Sequence, residues 1–297
     1  MNLLISFSGG ETSAYMTRRL LEKHRSEYEQ VIVVFANTGL EHEKTLEFVD
    51  QCDREFGFNV VWVESVPGEK MGVGVSAKIV DFSSASRKGE PFEAMIAKFG
   101  IPNQAFQHCS RELKRNVIRA YARLIGWSKR DYYTAIGIRA DEFDRMSADA
   151  EEDRLIYPLI TWGIDKPEVN RFWNSQSFRL EIKSYEGNCV TCWKKSERKL
   201  LTLAKESPCA FNFFREMEQK YENYAPPRPG TPKFPLRFFR GNLSVDDIFV
   251  KSKNDFQLAA DDRFRMTSVN QLSLFTSSPE EDFLDTSAGC SESCEAF

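Results

Sequence analysis

Apolar positions along the chain fall into two patterns, short unbroken runs and stripes at helical spacing, and the two alternate. Residues 3–7 are an apolar run, followed by the sharp Ser8-Gly9-Gly10 loop and a stripe of Ala14, Tyr15, Met16, Leu20 and Leu21 within 11–28. Val31, Ile32, Val33, Val34 and Phe35 are continuous and mostly β-branched, the pattern of a strand covered on both faces. After the turn Ala36-Asn37-Thr38-Gly39, the residues Thr45, Phe48, Val49, Cys52 and Phe56 repeat as one helix face, and residues 60–63 make a third strand. Strand, helix, strand, helix, strand with short connections predicts a parallel α/β sheet. Residues 132–136 and 155–157 supply a fourth and a short fifth strand, with helices over 91–99 and 110–125 before them.

Residues 64–89 are rich in Gly, Ser and Lys and read as a long connection without regular structure, of the kind that carries function. Helical patterns cover 167–173 and 196–224, the Pro-rich stretch 225–232 breaks them as an extended linker, and a last helix covers 245–250. Residues 279–297 are acidic with no basic residue and are expected to lack structure of their own. The expected organisation is a domain over 1–199, a helical extension with the linker over 200–250, and a polar acidic tail over 251–297.

With 297 residues, 41% hydrophobic and 28% charged, the chain can bury a full core, which excludes a wholly disordered chain and a small disulfide scaffold. Its 40 basic and 44 acidic residues exclude a polycation built throughout for nucleic acid. The first residues run straight into a polar loop with no signal-peptide pattern, and no apolar run is long enough to span a bilayer. A cytoplasmic protein without a membrane partner is expected. Seven cysteines, an odd number, then read as core filler, metal ligands or reactive thiols rather than disulfides.

The segment Ser6-Phe7-Ser8-Gly9-Gly10-Glu11-Thr12-Ser13 sits between a strand and a helix. Its glycines permit a tight turn, the following helix offers N–H groups and a positive dipole end, and Ser8, Thr12 and Ser13 add hydroxyls. That is a phosphate site, or else a plain capped turn. The Walker spacing is absent. Arg111, Lys114, Arg115, Arg119, Arg123, Lys129 and Arg130 make a local basic stretch, which is either a solvated helix face or a receiver of phosphates.

The loop resembles the PP-loop of the adenine nucleotide alpha hydrolases at Ser8, Gly9, Gly10 and Ser13, with Thr12 where Asp is usual and Glu11 where Lys is frequent. Phe35-Ala36-Asn37-Thr38-Gly39 with Glu41 resembles that superfamily's second-strand turn, which in relatives lies beside the adenosine. Gly137-Ile138-Arg139-Ala140-Asp141-Glu142 resembles its Gly-x-Arg-x-x-Glu element. Tyr157-Pro158-Leu159 with Trp162 and the helix around Val169 is similar to a stretch of the reductases. In order and spacing, residues 1–199 resemble the phosphoadenylyl-sulfate (PAPS) reductase family, especially members carried by phages and mobile elements.

The resemblance implies a HUP-like α/β domain with a parallel five-stranded sheet flanked by helices, and a helical C-terminal extension. It implies an adenine nucleotide, PAPS or ATP, on Ser6, Ser8, Gly9, Gly10, Thr12, Ser13, Asn37, Thr38, Gly137 and Arg139. Arg139 follows a strand end, where a guanidinium grips phosphate or sulfate, and is expected to be catalytic. Asp141, Glu142 and Asp144 are candidates for Mg²⁺.

Cys189-Val190-Thr191-Cys192 is a C-x-x-C whose spacing lets both sulfurs close on one metal or cluster, with Cys109 earlier and Cys209 later. Assimilatory adenylyl-sulfate reductases are similar in holding a 4Fe–4S cluster with a Cys-Cys pair and a C-x-x-C, although His108 replaces the first Cys here. The expectation is a 4Fe–4S cluster on Cys109, Cys189, Cys192 and Cys209, with His108 or an open iron as other fourth positions. Zinc or no metal are the alternatives. Cys52 belongs to the core. Cys290 and Cys294 stand in the tail as candidate nucleophiles, although the family's Glu-Cys-Gly is absent.

Three activities follow from the resemblance. The first is thiol attack on activated sulfate, releasing adenosine phosphate and sulfite with a thioredoxin-like thiol donor. The second is an ATP pyrophosphatase that adenylates tRNA or DNA for sulfur insertion from a cluster. The third is a non-catalytic nucleotide sensor of a mobile element. An oligomer is compatible with each.

Overall fold

The computed structural model describes residues 1–70, 72–226 and 234–261. The described elements are β1 (Asn2–Ser6), α1 (Glu11–Arg19), β2 (Val31–Asn37), α2 (Glu43–Phe56), β3 (Val60–Pro67), β4 (Val75–Val80) and α3 (Glu90–Phe99). They continue with α4 (Asn116–Leu124), β5 (Tyr132–Ala135), β6 (Leu155–Ile156), α5 (Pro158–Thr161), α6 (Lys166–Asn174), α7 (Glu197–Glu206), α8 (Asn212–Tyr221) and α9 (Val245–Ser252). A π-helical segment, Cys109–Arg115, leads into α4.

Among the described residues, six strands form one sheet in the order β4-β3-β2-β1-β5-β6. Five are parallel, as the alternation of runs and stripes predicts. The sixth corrects the reading of 64–89. β4 pairs antiparallel with β3, from Trp62 opposite Val80 to Pro67 opposite Val75. It is an edge strand with Ser76, Lys78 and Ile79 exposed, so its composition is polar and its alternation weak.

Period-two alternation sorts the strand side chains between two layers. Leu3, Ile5, Phe7, Val33, Phe35 and Trp62 pack on one face with Met16 of α1, Val49 of α2 and Trp173 of α6. Leu4, Val34, Ala36 and Val63 pack on the other with Val117, Ile118 and Tyr121 of α4. A third cluster joins α3 to α7, α8 and α9 through Phe92, Phe211, Phe214, Phe238 and Ile248. Phe214, Phe238 and Phe239 are therefore core.

The helical stretch expected over 196–224 is divided at Ser207-Pro208, where proline has no N–H to continue the ladder. Beyond α9 the chain folds back on α7, where the Ala259 N–H donates to Thr202 Oγ1 at 2.9 Å. Cys290 and Cys294, and most of the Pro-rich linker, lie outside the described residues. No described helix is long and apolar enough to cross a membrane.

The helical unit is closed by a buried carboxylate. Glu218 of α8 accepts from Phe238 N at 3.2 Å and Val245 N at 2.9 Å. Burial pushes its pKa up from 4.5 to about 7, against those two backbone donors. The folded state therefore holds this proton more tightly than the unfolded chain. The contribution is full below 4.5 and is lost as pH rises through about 7, a fall of up to about 3 kcal/mol. Glu218→Gln is expected to flatten that fall, read as a smaller difference between urea midpoints at about pH 5 and about pH 8 than in the parent protein.

Candidate functional site: a nucleotide edge and an adjoining cysteine cavity

β1 pairs with β2 on one side and β5 on the other, and the chain runs outward from it in both directions. The crevice at the carboxyl ends of β1 and β5 is therefore the topological switch point, where open α/β sheets bind ligands. The Ser8–Ser13 loop leaves β1 there. Gly9 is left-handed (φ +82°), and a Cβ on it would lie 2.8 Å from Thr45 Cγ2. Ser13, fully buried, knits the loop. Its Oγ donates to Gly10 O at 3.0 Å, receives Ser8 N at 3.2 Å and lies 2.9 Å from Ser8 Oγ. Gly10 begins α1 with no side-chain cap, so the helix dipole opens toward the crevice. Ser6 is buried at the end of β1, beneath the loop.

From β5 the chain passes Gly137, whose missing Cβ would lie 3.0 Å from Ser13 Cα. Two residues on, the buried Arg139 donates from Nη1 to Thr12 Oγ1 at 3.2 Å. Its Nε and Nη2 contact Asp141 at 3.1 Å each, and Nη2 lies 3.4 Å from Glu142. Arg145 also pairs with Glu142, at 2.5 Å. Asp141 and Glu142, considered above for Mg²⁺, are thus engaged by arginines and hold Arg139 in place.

At the end of β2, Asn37 is wholly buried and consumed by structure. Its Nδ2 donates to Glu64 Oε1 at 2.7 Å and Ser86 O at 2.9 Å, and its Oδ1 accepts from Gly39 N at 3.1 Å. Thr38 donates from Oγ1 to Glu41 Oε1 at 2.8 Å and from N to Oε2 at 3.0 Å. Sequence reasoning missed Glu64 and Ser86. The available signal was an acid directly after the apolar run Val60-Val61-Trp62-Val63.

Glu11 has a structural explanation. Arg179 contacts both its carboxylate oxygens at 2.9 Å, Leu180 N donates to it at 3.2 Å, and Trp173 Nε1 donates to its backbone O at 2.9 Å. The acid ties the segment after α6 to the loop. Three of the seven residues of the basic stretch are in these ion pairs: Arg111 with Glu112 at 2.6 Å, and Arg119 and Lys129 with Asp153 at 2.8 and 3.0 Å.

Cys109, Cys189 and Cys192 line one cavity together with Thr38, Lys114 and Trp193. The cavity adjoins the end of β2, because Cys189 Sγ is 3.4 Å from Thr38 Oγ1 and Cys189 bridges backbone to Glu41. The four-cysteine set is not assembled. Cys209 is exposed on the turn between α7 and α8 and is not in the cavity wall. His108 is buried between Phe99 and Phe106, with ring centroids at 5.6 and 6.0 Å. Among the described residues no three His, Cys, Asp or Glu side chains are grouped to hold a metal ion, so the residues as placed do not fit the expected cluster or zinc. Burial and the Glu41 charge push the Cys189 thiol well above its usual pKa, with Lys114 opposing. Cys52 is fully buried on α2 and belongs to the core.

Residues 2–162, more than half the chain, match the phosphoadenosine phosphosulfate reductase domain, and the chain belongs to that family. It is 30% identical over 299 residues to an uncharacterized nin region protein, ORF290, of Escherichia phage lambda, covering 99% of this chain and 94% of that protein. An uncharacterized protein of Methanocaldococcus jannaschii is 26% identical over 165 residues, covering 53% of this chain but 32% of its own length.

The loop's geometry depends on glycine at position 9. Gly9→Ala is expected to cost about 1–3 kcal/mol from the left-handed backbone alone, with the Thr45 contact added. Calorimetry would read this as a melting temperature several degrees lower.

Proposed function

We propose that the chain binds an adenine nucleotide carrying activated sulfate, of the phosphoadenylyl-sulfate kind, and transfers the sulfur to a thiol. The observation that carries this reading is Arg139, buried and aimed at Thr12 in the first turn of α1. A guanidinium fixed beside an open helix N-terminus favours an anion and stabilises charge that grows on it during reaction.

The surrounding groups favour a sulfonucleotide over a magnesium triphosphate. The loop offers hydroxyls where an Asp is usual. The nearby carboxylates Glu11, Asp141 and Glu142 are already paired with arginines. In the step proposed, a cysteine thiolate attacks the sulfate sulfur. The S–O bond to the nucleotide phosphate breaks and adenosine bisphosphate leaves, giving a protein thiosulfonate. One thiol of a thioredoxin-like dithiol then attacks the protein sulfur, breaking its bond to the sulfonate and freeing sulfite, and the dithiol's second thiol resolves the mixed disulfide, so that the dithiol leaves oxidised and the cysteine is restored. The loop N–H groups and Ser8 hold the phosphates, and Arg139 holds the departing charge. Cys290 and Cys294 are the candidate nucleophiles.

The test is sulfite release from PAPS with a dithiol present, alongside binding titrations. Arg139→Ala is expected to weaken PAPS binding by about tenfold or more, the scale of one charge-assisted hydrogen bond. Loss of sulfite release in Cys290→Ser/Cys294→Ser with binding retained would place the nucleophile in the tail. Pyrophosphate release from ATP, stimulated by tRNA or DNA, would overturn the reading in favour of a pyrophosphatase. Tight adenosine-phosphate binding with neither activity would overturn it in favour of a nucleotide sensor.

A further inference from the structure

We infer that Cys189 and Cys192 form a reversible dithiol–disulfide couple, and that closing the disulfide removes the hydrogen bond between Cys189 and Thr38 at the end of β2. This goes beyond the proposed function and stands whichever nucleotide binds.

Four observations support it. The Cys192 N–H donates to Cys189 O at 3.0 Å, so the C-x-x-C is a closed four-residue turn. Such a turn brings its end Cα atoms within about 7 Å, close to the range a disulfide spans. Neither cysteine is in a disulfide, and both line the same cavity. As placed, they are not grouped with a third ligand for a metal ion among the described residues. Finally, the Trp193 indole N–H beside them is buried without a hydrogen-bond partner, so the cavity wall is not a completed polar network.

The link to the end of β2 follows from counting protons. Thr38 has one hydroxyl proton, and it goes to the carboxylate of Glu41 at 2.8 Å. The contact between Cys189 Sγ and Thr38 Oγ1 at 3.4 Å is then the thiol donating to the hydroxyl. A disulfide has no S–H to donate. Oxidation therefore removes this bond and reduction restores it, while the bonds from Thr38 to Glu41 remain.

The reaction balances with a disulfide as oxidant. One thiolate of the pair attacks R–S–S–R, forming a mixed disulfide and releasing R–SH. The second thiol attacks the protein sulfur of that mixed disulfide, closing Cys189–Cys192 and releasing a second R–SH. Two electrons and two protons leave the pair.

The experiment equilibrates the full-length protein, without nucleotide, in graded mixtures of reduced and oxidised glutathione, then quenches, alkylates and maps peptides. The expected result is a Cys189–Cys192 disulfide formed in one two-electron transition and absent in Cys192→Ser. Thr38→Val, which removes the acceptor, is expected to shift the transition toward the disulfide by about two- to tenfold in equilibrium constant. Thr38→Ser, which keeps the hydroxyl, is expected to restore the parent midpoint. Four results would overturn the inference: both thiols alkylated throughout, Cys109 captured in the disulfide in place of either partner, equal midpoints for the parent and Thr38→Val, or stoichiometric iron or zinc protecting both thiols until chelated. Because no nucleotide is present, failure here is separate from failure of sulfite release.

Discussion

The candidate nucleotide edge depends on one close approach. The first turn of α1 is pressed against the exit of β5 so tightly that a single Cβ on Gly137 would lie 3.0 Å from Ser13 Cα. Pairing of β1 with both β2 and β5 sets the two segments side by side. The bare backbone at Gly137 lets them touch. With that distance set, Arg139 reaches Thr12 from two residues downstream, and Asp141 and Glu142 are placed to orient it. The anion-favouring end of α1 and the guanidinium thus share one crevice because two glycines, Gly9 and Gly137, leave room for it.

Much of the fold was legible in the sequence, for a physical reason. A buried parallel strand needs apolar residues on both faces, and residues 31–35 show that directly. The strand that was missed, β4, lies at an edge where only part of it is buried, so Ser76 and Lys78 carry no core signal. At the site, local motifs were legible and long-range partners were not. The Ser8-Gly9-Gly10 loop announces itself by residue type. By contrast, the service of Asn37 to Glu64 and Ser86 spans 27 and 49 residues and depends on the strands already being paired. Glu11 looks anomalous in a phosphate loop until Arg179, far along the chain, is brought against it.

The cysteines show the opposite limit. Cys189 and Cys192, paired by spacing, line one cavity with Cys109. Spacing along the chain could not separate a cavity wall from a coordination shell, because it carries no information about how far a cavity holds sulfurs apart. Cys209 illustrates the point. Pro208 ends α7 and sets that cysteine on an exposed turn, away from the others.

The contact between Glu11 and Arg179 has a consequence for what each position tolerates. The pair joins the start of α1 to the segment after α6 through two parallel hydrogen bonds, both partners largely shielded from water. Reversing the charge at either position alone would set like charges together at the mouth of the crevice. The two sites are therefore coupled: a basic residue at position 11 would face Arg179 unless that arginine were changed with it.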